Sequence, residues 1–196
     1  MWGVLAATVA TIAVAYVAWR PEAALPMYGT IPDFTLTDEN NRVVHLADLR
    51  GKTWIADVIF TRCAGQCPLM TSHLKSVEEQ LPATLPIRFV TLTTDPGYDT
   101  PAVMKKYAER YEADESRWLF LTGTKPALKN VIAEGLKLAA IDKAANLAEN
   151  PNDLFIHSAK FVLIDGAGEI RGYFDGETEA AIAQTAEAAK QLAAGK

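Results

Sequence analysis

The chain has 196 residues, 49% hydrophobic and 22% charged, the balance of one globular domain with room for an appendage. Its formal net charge is −5 and it has no Lys/Arg cluster, which argues against a nucleic-acid partner. There are only two cysteines, Cys63 and Cys67, so any thiol chemistry belongs to a single pair.

From the N-terminus, Trp2 to Trp19 contains no charged residue, and as a helix would span about 27 Å, enough for a bilayer core. Trp2 at one end and Tyr16 with Trp19 at the other stand where interfacial aromatics belong, and Arg20 and Pro21 end the run. The run is expected to be a transmembrane anchor (1–20). A cleaved signal peptide, with Ala13-Val14-Ala15 as its small-x-small site, fits less well: it lacks a basic leading segment, and the apolar run continues past that site. Residues 21–32 hold three of the ten prolines and read as a linker, which leaves 33–196 as the folded domain.

Within that domain, Asp33 to Leu36 and Arg42 to Leu46 flank a polar Asp38-Glu39-Asn40-Asn41 turn, a hairpin signal. Trp54 to Phe60 is apolar apart from Asp57 and predicts a strand buried on both faces. The cysteines follow at the end of that strand. Pro68 is favoured at a first helical position and pushes its predecessor out of helical geometry. This predicts Cys63 to Gln66 as a loop and Cys67 as the N-cap of a helix from Pro68 to about Gln80. The helix terminus would then stabilise a Cys67 thiolate.

Ile87 to Leu92 reads as a second strand, and Thr94-Asp95-Pro96-Gly97 as a turn. Pro101 opens a helix to about Tyr111 with Thr100 as its cap. Trp118 to Leu121 is a short strand, Lys125 to Glu134 a helix and Asn146 to Asp153 a polar loop. Lys160 to Ile164 and Glu169 to Phe174 flank Asp165-Gly166-Ala167-Gly168 as a hairpin, and Glu177 to Ala194 closes the chain as a helix with Thr178 near its start. Strand–helix–strand units imply parallel pairing, and the late hairpin adds antiparallel strands. The expected class is α/β with a thioredoxin-like fold, a central mixed sheet flanked by helices.

A three-residue gap lets Cys63 and Cys67 converge either as a reversible disulfide or as a two-thiolate pincer for a soft metal. Cu(I) accepts two thiolates and an imidazole, whereas structural zinc usually wants a fourth ligand. Among the three histidines, His157 ends a loop directly before a strand, a position open to ligation or to no role at all. His45 reads as a surface residue and His73 as part of a solvated helix face. Met70 is soft enough to ligate but reads as core. Asp57 reads as the polar side of its strand, with a buried proton acceptor as the other reading.

Three stretches resemble the Sco/SenC family, in order: the cysteine segment Trp54 to Thr71, the Asp-Pro segment Thr93 to Pro101, and the histidine segment Phe155 to Asp165. The likeness runs from about Pro32 to Phe174. It implies a membrane-anchored, thioredoxin-like copper chaperone that helps assemble the dinuclear copper centre of cytochrome c oxidase, by delivering copper as Cu(I) or Cu(II), by reducing the target's cysteines, or both. Cys63, Cys67 and His157 match the family's three copper ligands, and Cys63 and Cys67 would carry any redox step. Asp95 falls in the Asp-Pro turn, where it could support the metal. Ile156 stands where many members carry an acid before the histidine. The implied partners are the copper-site subunit of the oxidase, other copper chaperones or thioredoxin-like reductants, and the membrane, with the domain on the periplasmic side. The competing functions are a metal-independent thiol–disulfide oxidoreductase or peroxidase, and a redox or copper sensor.

Overall fold

The computed structural model describes residues 25–138, 141–142, 155–156 and 158–195. Its centre is strand β4 (Thr53–Ile59), buried at every position. It pairs in parallel with β5 (Ile87–Thr93), from Thr53 opposite Ile87 to Ile59 opposite Thr93, and antiparallel with β9 (Lys160–Ile164) on its other side. Strand β6 (Trp118–Leu121) extends the parallel half, and β10 (Glu169–Asp175) returns antiparallel to β9. With β1 (Gly29–Thr30) at its outer edge, the sheet order is β1-β10-β9-β4-β5-β6, a mixed sheet, as the element order predicts.

Strand β1 (Gly29–Thr30) lies within the stretch expected to be a linker. It pairs with the outer edge of β10, and the Tyr28 N–H donates to the Ile170 carbonyl at 2.9 Å. The predicted early hairpin forms as β2 (Thr35–Thr37) and β3 (Val43–His45), separate from the main sheet. Its first strand covers the far edge of β6: Thr37 and Thr122 exchange backbone hydrogen bonds, and Glu39 accepts from the Phe120 N–H at 2.9 Å. Burial pushes the Glu39 carboxyl above its ordinary range. A separate two-stranded pairing joins β7 (Ile141–Asp142) to β8 (Phe155–Ile156). The predicted polar loop 146–153 and the apolar run 2–19 lie outside the described residues. Among the described residues no helix is long and apolar enough to cross a membrane.

Strand alternation divides the interior into two cores. Trp54, Ala56 and Val58 face the side covered by the β2/β3 hairpin, by helix α1 (Leu46–Leu49) and by the chain from Leu128 to Leu138. Ile55 and Ile59 face the other side, with Cys67, Met70 and Leu74 of helix α2 (Gln66–Gln80), Met104 of α3 (Pro101–Arg110) and Ala186 of the C-terminal helix (Glu179–Ala193). The C-terminal helix starts at Glu179 with Thr178 as its N-cap, near the expected place. Thr100 stands at the cap position of α3, but its side chain makes no capping hydrogen bond. The helix expected over 125–134 is α4 (Lys125–Lys129) followed by a wide π-helical turn, Asn130–Gly135. Gly135 packs on Pro32, and a Cβ there would meet its Cδ at 2.9 Å. The C-terminal helix is α5.

Asp57 corrects the reading of a polar strand side, since no such side exists. It is fully buried, and its Oδ1 accepts from the Thr91 hydroxyl at 2.6 Å. Thr91 in turn accepts from the Trp118 indole N–H at 2.9 Å. This relay crosses β6, β5 and β4. Thr91→Val keeps the shape but removes the hydroxyl at its centre, which is expected to cost about 2–3 kcal/mol. Thermal unfolding should show a fall of about 5–10 °C, and Thr91→Ser should recover most of it.

Candidate metal centre

Both cysteines sit where the parallel strands end, the usual location of sites in open α/β sheets. The chain leaves β4 at Phe60, and the Cys63 N–H donates back to the Phe60 carbonyl at 3.1 Å, a tight turn that aims residue 63 toward α2. Helix α2 begins at Gln66 with Gly65 as its cap. Cys67 is therefore inside the first turn and is not the N-cap the sequence predicts. Pro68 allows this because the third residue of a helix, like the first, has no N–H that the helix needs. Thr71, one turn on, donates its hydroxyl to the Cys67 carbonyl at 2.9 Å and accepts from Tyr107, whose hydroxyl lies 2.9 Å away.

The two thiols are reduced and hydrogen-bonded to each other. Cys67 is fully buried and Cys63 half-buried. The hydrogen bond with Cys63 holds the Cys67 proton and drives its thiol far above the ordinary range. Burial and the nearby Asp57 charge add to this, while a Phe60 backbone hydrogen bond opposes it. The expected thiolate at Cys67 is thus corrected: with Cys63 beside it and a dry core around it, Cys67 keeps its proton. Burial likewise pushes the Tyr107 hydroxyl up, so it serves as a donor.

A second loop, between β5 and α3, pins the cysteine loop. The Thr94 N–H continues the ladder onto the Ile59 carbonyl at 2.9 Å. Asp99, fully buried, accepts from the Thr61 N–H at 3.1 Å and from the hydroxyls of Thr61 and Thr93. Burial raises its carboxyl against those bonds. Arg62 pairs with Asp95 at 2.6 Å and lies over the Tyr98 ring, 4.3 Å from its centroid.

Asp95 therefore stands near the dithiol through Arg62, the residue just before Cys63. Sequence reasoning missed Thr61, Arg62, Tyr98 and Asp99. Their signal was a second acid four residues after Asp95, at the end of the strand paired with the cysteine strand.

Met70 is core, as expected. His45 is exposed, its Nδ1 3.1 Å from the Thr35 hydroxyl. His73 departs from the solvated-face reading: it is half-buried, with Nδ1 2.8 Å from the Gly176 carbonyl. His157 lies outside the described residues. Among those described, no three His, Cys, Asp or Glu side chains form a metal-binding group. What is present is a pair of soft sulfur donors in mutual contact, one buried and one half-buried. That donor set suits a thiophilic ion such as copper.

The SCO1/SenC family model matches residues 23–193. The chain belongs to that family. A relative from Stutzerimonas stutzeri, named for copper binding, is 30% identical over 152 residues, 76% of this chain and 71% of its own. A SCO1/SenC family lipoprotein from Bacillus anthracis is 26% identical, superposes with a TM-score of 0.72 and covers 84% of this chain and 95% of its own. BsSco belongs to the Sco family of cytochrome c oxidase assembly proteins, and a disulfide switch has been identified in it. It is 28% identical with a TM-score of 0.70, covering 86% of this chain and 96% of its own.

The difference in exposure predicts an order of reaction in the reduced, folded chain. Iodoacetamide labelling with peptide mapping is expected to mark Cys63 at least about tenfold faster than Cys67. Asp99→Ala, which releases Thr61, should narrow that gap, and equal labelling of the two in the unmutated chain would contradict the burial described.

Proposed function

We propose that this chain is a copper-binding metallochaperone that helps assemble the dinuclear copper centre of cytochrome c oxidase, delivering copper, reducing the target's cysteines, or both. The reading is carried by the paired thiols, one buried and one half-buried, at the end of β4 in a SCO1/SenC chain. The names of the relatives support it: copper binding in one, oxidase assembly in another.

In this reading copper is cargo, held by Cys63, Cys67 and His157. Both sulfurs bind as thiolates, so loading releases the proton they share as well as any other the thiols still carry. Cys63, the accessible sulfur, receives and passes on the ion, while the buried Cys67 anchors it. The Thr61–Asp99 and Arg62–Asp95 contacts hold Cys63 in place while the metal is absent.

The same asymmetry favours a reductive step. The Cys63 thiolate attacks a target disulfide and forms a mixed disulfide, releasing one target thiolate. Cys67 then loses its proton and attacks Cys63, freeing the second target thiolate. Two electrons leave this chain, which keeps a Cys63–Cys67 disulfide. A purely metal-independent thiol–disulfide oxidoreductase remains the second reading, favoured by this pairing of a half-buried attacking and a buried resolving sulfur.

Residues 2–19 are proposed as a membrane anchor with 33–196 as an extracytoplasmic domain, in keeping with the apolar run and with the lipoprotein relative.

The reduced full chain is expected to bind one copper per molecule in a competition titration, and Cys63→Ser or Cys67→Ser should abolish tight binding. His157→Ala should weaken Cu(II) more than Cu(I), because two thiolates already satisfy the softer ion. If His157→Ala leaves both affinities and the copper spectrum unchanged, the three-ligand site is wrong. Copper binding that survives Cys63→Ser would sink the chaperone reading itself. Oxidation to the Cys63–Cys67 disulfide should remove binding, and reduction should restore it.

Deleting residues 1–20 and exporting the domain by another signal should preserve copper binding but lower oxidase assembly, since tethering raises the effective concentration near a membrane target. Undiminished assembly would remove the anchor from the mechanism.

A further inference from the structure

We propose that the recess beside the cysteine loop docks an acidic, extended segment of the protein on which the dithiol acts. This rests on the reading of Cys63 and Cys67 as the exchanging pair, and it adds the surface that brings a partner to them. The recess measures about 250 Å³ and lies between the loop after β4 and helix α3, lined by Thr61, Arg62, Tyr98, Val103, Lys106, Tyr107 and Arg110. Three of those seven residues are cations, in a chain whose net charge is −5.

The three cations are not equivalent. Arg62 is matched by Asp95. Lys106 and Arg110 are exposed and one helical turn apart, and among the described residues they have no hydrogen-bond or ion-pair partner. The acids nearest the recess leave that charge standing: Asp95 is held by Arg62, Asp99 is buried under Thr61 and Thr93, and exposed Glu109 pairs with neither cation. On a surface that is otherwise net negative, such a spot draws and orients a negative partner.

The walls also lead to the sulfurs. Arg62 directly precedes Cys63, and Tyr107 reaches the Cys67 carbonyl through Thr71. Tyr98, 46% exposed, offers an aromatic surface at the mouth. The volume suits two or three side chains. Helix positions four apart lie about 6 Å from each other at Cβ, and alternate residues of an extended strand about 6.6 Å. An acid-x-acid sequence in extended form therefore matches the Lys106–Arg110 pair.

The test uses the full chain, reduced, with a fluorescent peptide of alternating glutamate and serine, and its glutamine counterpart as control. Anisotropy at low ionic strength should detect the glutamate peptide only, and binding should fall with added salt. The double variant K106E/R110E should weaken it about tenfold or more, while copper uptake and Cys63–Cys67 oxidation stay unchanged. The equal charge reversal K129E/K137E, on the other side of the sheet, should have less than a twofold effect. Failure of the peptide to bind, or equal losses in the two double variants, would overturn the proposal. So would displacement by inorganic phosphate at matched concentration, which would make the recess a general anion site. Peptide binding in a chain that takes up no copper would instead remove the copper reading and leave the docking surface in place.

Discussion

Strand β4 has neither a free edge nor a free face. Its seven residues are buried, β5 and β9 occupy its two sides, and its side chains alternate into two separate cores. A strand so enclosed can present chemistry only where it ends. There the ladder runs one step further, from the Thr94 N–H to the Ile59 carbonyl, so the loops after β4 and β5 leave the sheet as a joined pair. The dithiol inherits its position from that junction and needs no rigidity of its own. A Cys-x3-Cys loop with two exposed residues and a glycine would otherwise sample many geometries.

The polar groups behind the site follow the same logic. Burying a carboxylate is costly unless hydrogen bonds take over from water. Asp99 meets that demand with Thr61 and Thr93, Asp95 with Arg62, and Asp57 with Thr91. Each such acid is also a tie between segments distant in sequence. The tie at Asp99 lands two residues before Cys63 and the tie at Asp95 one residue before it. Electrostatics and positioning are thus supplied by the same side chains. A change at Asp95 or Asp99 should be felt first as altered placement of Cys63, and only then as lost stability.

Much of this was legible in the sequence wherever a segment carries its own physical signature. The run Trp54 to Phe60, the strand Trp118 to Leu121 and the hairpin around Asp165 to Gly168 have apolar or β-branched stretches bounded by turn residues, and they fold as read. The α2 start moved because proline is tolerated at more than one position of a first turn. The π-helical turn after Lys129 left no mark in the local pattern, and the contact it makes, Gly135 against Pro32, joins residues far apart in sequence. Strand β1 is two residues between proline-bearing stretches, too short for any periodicity. At the site, the cysteines were visible as a pair. Which of them keeps its proton depends on their mutual contact and on burial, and neither is a property of the local sequence. The Arg62–Asp95 and Thr61–Asp99 contacts span 33 and 38 residues and arise only once β4 and β5 are side by side.

Strand β1 has a mechanical meaning as well. The chain enters the sheet at Tyr28, and just before it the Leu25 carbonyl accepts from Arg171, so anything that holds residue 20 in place is joined to the domain by the four residues 21–24. Covalent geometry limits that link, from residue 20 to Leu25, to about 18 Å even when fully stretched. It meets the sheet at its edge, three strands from β4 and so about 14 Å from it. A force applied through the N-terminus would peel β1 from β10 one hydrogen bond at a time before it reached the strand that carries the cysteines. The edge strand therefore works as a strain relief: it lets the domain be held closely without the holding being felt at Cys63.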